Sequence, residues 1–329
     1  MALHAVQNVD DAFDATREFL FPFDLRRWVK LAVVAIFLGS GTNVPTTNVD
    51  TSSSSGRLPD GGVSVAPPEN LLLVVGALVV AGVLLLLAWG LLGAIFEFVF
   101  VESLRSGDVR LRLYWADRWR QGVRLFGFRI AIALPMIALF VGWLALILGP
   151  LLLGVGNLAL PLVAILVGIP LAFVLSLVYG LVYGFTTVFV VPIMILDECG
   201  VLAGWRTLWS SIVDDWTQYL AYAVASVLLT VALGILSSIL VGIAAVIVLL
   251  PFALVALLVH LAVSLSSTVG LAVLVVLGVV FLAVMLLVWA FVQVPILTYL
   301  RYYALLVLGD VDESLDLIPG RRRAIRSGR

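Results

Sequence analysis

Long apolar runs make up most of the chain, separated by a few short charged stretches. Apolar residues dominate roughly 25–40, 70–103, 128–150, 158–196, 216–248 and 269–304. About twenty apolar residues suffice for a helix to cross a ~30 Å hydrocarbon core, whereas a membrane β-barrel alternates apolar and polar over about ten positions. No stretch alternates in that way, so the pattern predicts an all-α, polytopic helical membrane protein with about six crossings. The first run is short: Lys30 is followed by only about ten apolar positions before Ser40. A crossing there needs the Arg26, Arg27 and Lys30 stems to reach outward, or a locally thinned bilayer. The stretch 128–196 divides at Gly149-Pro150 and Gly154–Asn157. The stretch 216–304 divides near Ser264–Thr268, with Pro251 as a kink or an earlier break.

The intervening segments complete the domain plan. Residues 1–24 form an amphipathic cytoplasmic N-terminal segment, and 25–304 the membrane domain. Segments 105–128 and 197–215 are amphipathic and cytoplasmic, and 305–329 is a cytoplasmic tail, acidic and then basic. Loop 41–69, rich in Ser, Thr, Gly and Pro, reads as a flexible outer connector.

Composition agrees with a lipid solvent. The chain is 63% hydrophobic and 12% charged, about half the charged share of a soluble domain. The placement of charge carries more information than its sum. Of 19 Lys and Arg residues, all but Arg57 fall at 17–30, 105–129, 206 and 301–329. With an even number of crossings these positions share one side, and the positive-inside rule makes that side, with both termini, cytoplasmic. Location in the cell membrane follows. Asp10, Asp11 and Asp14 make the N-terminus unlike a signal peptide, so the first apolar segment is expected to remain as an anchor.

Three segments share one order: amphipathic cytoplasmic helix, crossing, crossing back. Each begins with a small residue, an arginine two positions on and bulky apolar residues after it: Ala15/Arg17, Gly122/Arg124 and Gly204/Arg206. The ends of the units also align: Phe96–Val99, Phe189–Pro192 and Val292–Pro295, with Glu97, Val190 and Gln293 equivalent. The expectation is three hairpin repeats, each led into by an amphipathic cytoplasmic helix.

Candidate chemistry is sparse. Glu97 lies inside an apolar run, where a carboxylate faces protein or water. It is either a proton or cation site with Gln293, or a structural group bonded to Arg129 or Arg124, or to Gln293 and Tyr299. Arg110, Arg112, Arg118, Arg120 and Arg124, interleaved with Trp115, Trp119 and Phe126, are candidate contacts to anionic lipid headgroups at the inner leaflet, as is Arg206. Arg321, Arg322, Arg323 and Arg326 invite the same reading. Gly180 and Gly184 form a GxxxG suited to close helix packing. His4 and His260 lie far apart, and Cys199 follows Asp197-Glu198, an acidic setting for a thiol. These residues point to no catalytic, cofactor or metal site and no nucleic-acid partner, leaving the bilayer and a protein partner or oligomer.

The stretches "ALHAV…DDAFDATREFL", "EFVFVESLRSGDVRLR" and "GVRLFGFR" resemble a family of uncharacterised integral membrane proteins from haloarchaea. The arginine-rich, lysine-poor composition agrees with such an archaeal source. The threefold Gly-x-Arg pattern is similar, more distantly, to the membrane domain attached to glycerophosphoryl diester phosphodiesterases. That resemblance implies fold and location only, because the phosphodiesterase chemistry sits in a separate soluble barrel. The leading functional expectation is a non-enzymatic membrane-organising or accessory protein. The second is a small-solute or ion transporter with a Glu97/Gln293 site, and the third a lipid-modifying enzyme.

Overall fold

The structure, a computed structural model, describes residues 4–39, 71–152, 159–262 and 268–327. Among these there is no strand. In chain order the helices are α1 (His4–Leu20), α2 (Leu25–Gly39), α3 (Leu71–Ser106), α4 (Leu111–Leu152) and α5 (Ala159–Phe185). After a π-helical turn (Thr186–Val190) come α6 (Val191–Leu196), α7 (Val201–Asp214), α8 (Trp216–Ala262), α9 (Thr268–Val311), a 3₁₀ turn (Glu313–Leu315) and α10 (Pro319–Ser327). Loop 41–69 and the breakers Gly154–Asn157 lie outside the described residues, as does all of 264–268 but Thr268. Gly149 and Pro150 lie inside α4, and the described helices on either side of the other expected divisions stop at Leu152 and Ala262 and resume at Ala159 and Thr268. Pro251 does not end α8.

Among the described residues five helical stretches are long and apolar enough to cross a membrane: Leu73–Ser106, Leu111–Pro150, Ala159–Leu196, Trp216–Leu261 and Val269–Val311. The sixth expected crossing is not among them. It falls on α2, whose 15 residues span only ~22 Å. Pairing places α2 beside longer helices: Phe37 packs on Trp89 and Phe96 of α3. Gly39 meets α9, where a Cβ would lie 2.7 Å from Trp289.

The long helices have two unlike parts. Their apolar upper parts are almost unburied by protein: the most apolar windows of four of the five stretches are 0% buried and that of the fifth 6%. Their lower parts, with α1, α2, α6, α7 and α10, enclose one core. Phe98, Leu104, Leu125, Phe189, Leu208, Tyr302 and Tyr303 are fully enclosed there. The last turns of α9 run through the centre, so Leu305, Leu306, Val307 and Leu308 are all buried. α1 is amphipathic for a visible reason. Asn8, Asp11, Ala12, Ala15, Thr16 and Phe19 recur every three or four residues, and that face is buried. The sequence after α9 folds back: Asp312 caps the 3₁₀ turn through Ser314 N (2.9 Å), and Asp316 accepts from Ile318 N (3.0 Å).

The small residues of the three leading motifs are contact points. A Cβ on Gly122 would meet Ile95 Cγ1 at 2.6 Å and its Cα at 2.8 Å. One on Gly204 would meet Val190 Cγ1 at 2.9 Å. Ala15 is buried, and Phe19 one turn on meets Tyr302 of α9 edge-on at 5.9 Å. Each amphipathic helix therefore packs against a helix that carries one of the aligned end segments. By contrast Gly180 and Gly184 face open space, so the GxxxG makes no close contact in this chain. The tight α4–α5 approach uses Gly168 instead, against Trp143, whose Nε1 donates to Ala164 O at 2.8 Å.

Candidate functional site

Glu97 sits where the packed base meets the apolar upper helices. Its side chain is 5% exposed. α4 brings Arg129 (Nη2 to Glu97 Oε2, 3.6 Å), and α9 brings Arg301, whose Nη2 donates to Glu97 Oε1. The two guanidiniums are 14% and 10% exposed. The fourth partner is the π-helical turn. A wide turn frees backbone groups that an α-helix would pair, and here Thr187 O accepts from Arg301 Nη1 at 2.6 Å. Thr187 Oγ1 accepts from Arg129 Nη2 at 2.8 Å. Thr186 also accepts from Trp205 Nε1 (2.9 Å), which ties α7 to the same turn.

The cluster holds two cations and one anion. The next acid on α3, Glu102, is engaged elsewhere, by Arg118 at 3.2 Å and Arg105 at 3.7 Å. Arg129 lies under the Tyr183 ring (4.7 Å to the centroid), and its buried Nε has no hydrogen-bond partner among the described residues. Glu97 and Arg129 form the polar end of a cleft of about 160 Å³. Phe37, Leu38, Trp89 and Tyr183 wall it, together with Gly90 and Gly93. Trp89, 41% exposed, marks a mouth on the apolar outer surface.

The other candidate residues are dispersed. Gln293 is buried, but its Nε2 donates to Ser237 Oγ of α8 (3.3 Å). Tyr299 donates to Val9 O (3.3 Å). Arg124 is exposed. Arg112 and Arg206 are likewise exposed, and Arg120 lies 5.6 Å from the Trp119 ring. Arg118 turns inward to Glu102. Arg110 pairs with Asp108 at 2.8 Å, and that hydrogen bond holds the Asp108 carboxyl below its ordinary range. Burial, with Asp197 beside it, pushes the Cys199 thiol up, away from the reactive thiolate. Among the described residues no three His, Cys, Asp or Glu side chains gather as metal ligands would.

A second polar network closes the base. Arg326 reaches Asp310 (2.6 and 2.9 Å), Asp11 (3.1 Å) and Asn8 (3.0 Å), while Arg322 holds Asp310 (2.9 Å) and Asp316 (2.8 Å). Arg321 donates to Leu104 O (3.2 Å) and Tyr302. Of the four tail arginines among the described residues, three are thus engaged by protein, whereas Arg323 is exposed and donates within α10, to Pro319 O. Arg27 similarly ties Phe19 O to Gly107 O, and Lys30 donates to Val109 O (3.0 Å).

Sequence reasoning singled out Glu97 and named Arg129 as a partner, but overlooked Arg301 and Thr187. One signal was present: Arg301 is the only charged residue between Thr268 and Asp310. The π-helical turn has no comparable trace in the residue pattern.

Helices throughout the described residues, five of them of membrane length and apolar, and a buried ion cluster are the features of a multi-pass membrane protein. The chain belongs to a family of unknown function (DUF7544), which it matches over residues 3–318. No curated protein and no solved structure matches it. The family match carries no information on a haloarchaeal source, and no match links the chain to the phosphodiesterase membrane domain.

Proposed function

We propose that this is a non-enzymatic organising or accessory protein of the cell membrane, with both termini cytoplasmic and a basic collar seated on anionic lipid headgroups. One observation carries the reading. In all three leading motifs the small residue is buried and the arginine two positions on is exposed: Ala15/Arg17, Gly122/Arg124 and Gly204/Arg206. The motif therefore docks a helix on one side and leaves a cation outward on the other. Exposed Arg112, Arg120, Trp119 and Trp209 extend that surface with groups suited to a headgroup layer. The same contacts favour three repeated hairpins, α2–α3, α4–α5 and α8–α9, led into by α1, by the first turns of α4 and by α7. With α2 as the first crossing, there are six.

Glu97 is already matched by two guanidiniums, and Gln293 is bonded to Ser237. That arrangement speaks against a cation or proton site shared by Glu97 and Gln293. The test is the full chain in liposomes with a graded content of anionic lipid. Stability should rise with anionic lipid, fall with added salt and respond to joint replacement of Arg17, Arg124 and Arg206 by Gln. Indifference to lipid charge would remove the collar, and ion flux lost on Glu97→Gln would reinstate transport. Topology is read separately. In a Cys199→Ser background, Ser53→Cys should label only from outside and Ser314→Cys only from inside.

A further inference from the structure

We infer that the cleft beside Glu97 binds a single-chain or lipid-borne anion: a carboxylate or phosphate on an apolar body, entering sideways from the bilayer. Charge is the first argument. Arg129 and Arg301 face one carboxylate, so the buried cluster carries one uncompensated positive charge. In a low-dielectric setting such a charge is costly until an anion or a full set of acceptors meets it. Geometry is the second. The Arg129 Nε–H is buried without an acceptor, and this same side chain forms the polar end of the cleft. An anion held at that end of the cleft would offset the cluster's positive charge while Arg129 keeps its contacts with Thr187 and Glu97.

The walls supply the rest of the ligand's description. Beyond the guanidinium the cleft turns apolar and aromatic, with Phe37, Leu38 and Trp89. Gly90 and Gly93 also line it, and both lie at close helix contacts. A Cβ on Gly93 would press on Phe37 O at 3.3 Å, and one on Gly90 on Phe126 at 3.1 Å. At about 160 Å³ the space accommodates a headgroup and the first carbons of a chain, not a whole lipid. Leu86 (73% exposed) and Leu134 (58% exposed) flank this region on α3 and α4, so the remaining chain stays in lipid. The site is distinct from the arginine collar and does not depend on it.

The experiment uses the full-length protein in a neutral detergent, with binding read by ligand-induced thermal shift and by native mass spectrometry. The probes are oleate, dioleoyl phosphatidic acid, inorganic phosphate and oleyl alcohol. Oleate or phosphatidic acid should bind, and the alcohol should not. Arg129→Leu leaves Glu97 paired with Arg301 and should weaken binding about ten-fold or more, the worth of a charge-assisted hydrogen bond. Leu38→Trp narrows the mouth without touching the ion cluster, and should produce a loss of similar size if Arg129→Leu fails to fold. Replacing Arg112, Arg120 and Arg124 by Gln, which addresses the collar alone, should leave binding intact. Equal binding of the alcohol, or unchanged affinity in both cleft variants, overturns the site. Phosphate competing with oleate at equal concentration would make the ligand a free anion and overturn the lipid-borne assignment.

Discussion

The base and the upper hairpins of this molecule are similarly rich in Leu, Val, Ile and Phe, yet they use those residues in opposite ways. In the base, Phe189 on the π-helical turn is fully enclosed; on α5 above it, Phe173 is 69% exposed. The base also buries charge and matches it: Glu97, Asp310 and Asp316 each meet arginines. The upper parts carry almost no polar side chains. So much exposed apolar surface is untenable in water, and it is ordinary in lipid, where helices satisfy their own backbone. The lengths agree. From the ion cluster to their far ends, α3, α4 and α5 run ~39, ~35 and ~42 Å, close to the thickness of a bilayer with its headgroups. Protein forms the core below the cluster, and the helices above it present the apolar surface and the length that a bilayer suits.

Substitutions that differ only in region test this division most directly. Phe189→Ala should cost about 3–5 kcal/mol, whereas Phe173→Ala should cost almost nothing in detergent. Thermal unfolding of the pair decides it, and equal losses would abolish the distinction. Glu97→Leu belongs with the first group, because it strands two buried guanidiniums at about 3–5 kcal/mol. Glu97→Gln keeps an acceptor and should cost less, so the order wild type, Gln, Leu in unfolding temperature is the expected outcome.

Glycines sharpen the comparison at the next level. Gly204→Val drives a side chain into Val190 and should cost about 1–3 kcal/mol. Gly234→Ala and Gly278→Ala, in the upper hairpin with nothing within 4 Å, should instead stabilise by up to about 1 kcal/mol. A destabilised Gly278→Ala would mean that helix meets a partner there.

Smaller effects follow at the edge of the base. Asp310→Asn weakens the hold on Arg322 and Arg326, so α1 and α10 should loosen by about 1 kcal/mol. Hydrogen exchange should then quicken in residues 8–20 and 319–327 while the α3–α9 core stays protected; uniform quickening would count against a local latch. The smallest effect is at Asp108. Its pKa is lowered by Arg110, so any stabilisation is present above the unfolded value and is lost as pH falls through the folded one. The pair is fully exposed, and Asp108→Asn should leave the unfolding temperature unchanged at neutral pH.

Most of the helical plan was legible from the order of residues. The long apolar runs fall on α3, α4, α5, α8 and α9, because hydropathy acts locally. The count of membrane-length helices was less legible. The run after Lys30 reads as a crossing by hydropathy; its described part, α2, is 15 residues long and packs on α3 and α9. The candidate site was half legible. A glutamate in an apolar run is conspicuous because desolvation is costly wherever the helix goes. Its partner Arg301, 204 residues away, looked like one more cytoplasmic charge. Gln293, aligned with Glu97 in the repeat, turned out to bond a different helix, because equivalent positions in successive units need not face each other.

By itself, the sequence determined the all-helical class, the apolar lengths and the amphipathic face of α1. These depend on residues within a few turns of one another, through periodicity, propensity and transfer to lipid. The tertiary structure alone decided that Arg129 and Arg301 converge on Glu97, that a π-helical turn feeds them Thr187, that three tail arginines are held by protein, and that a cleft opens beside Arg129. Each of these needs groups far apart in sequence to meet at hydrogen-bond range, and helix rotation and packing settle that where hydropathy does not.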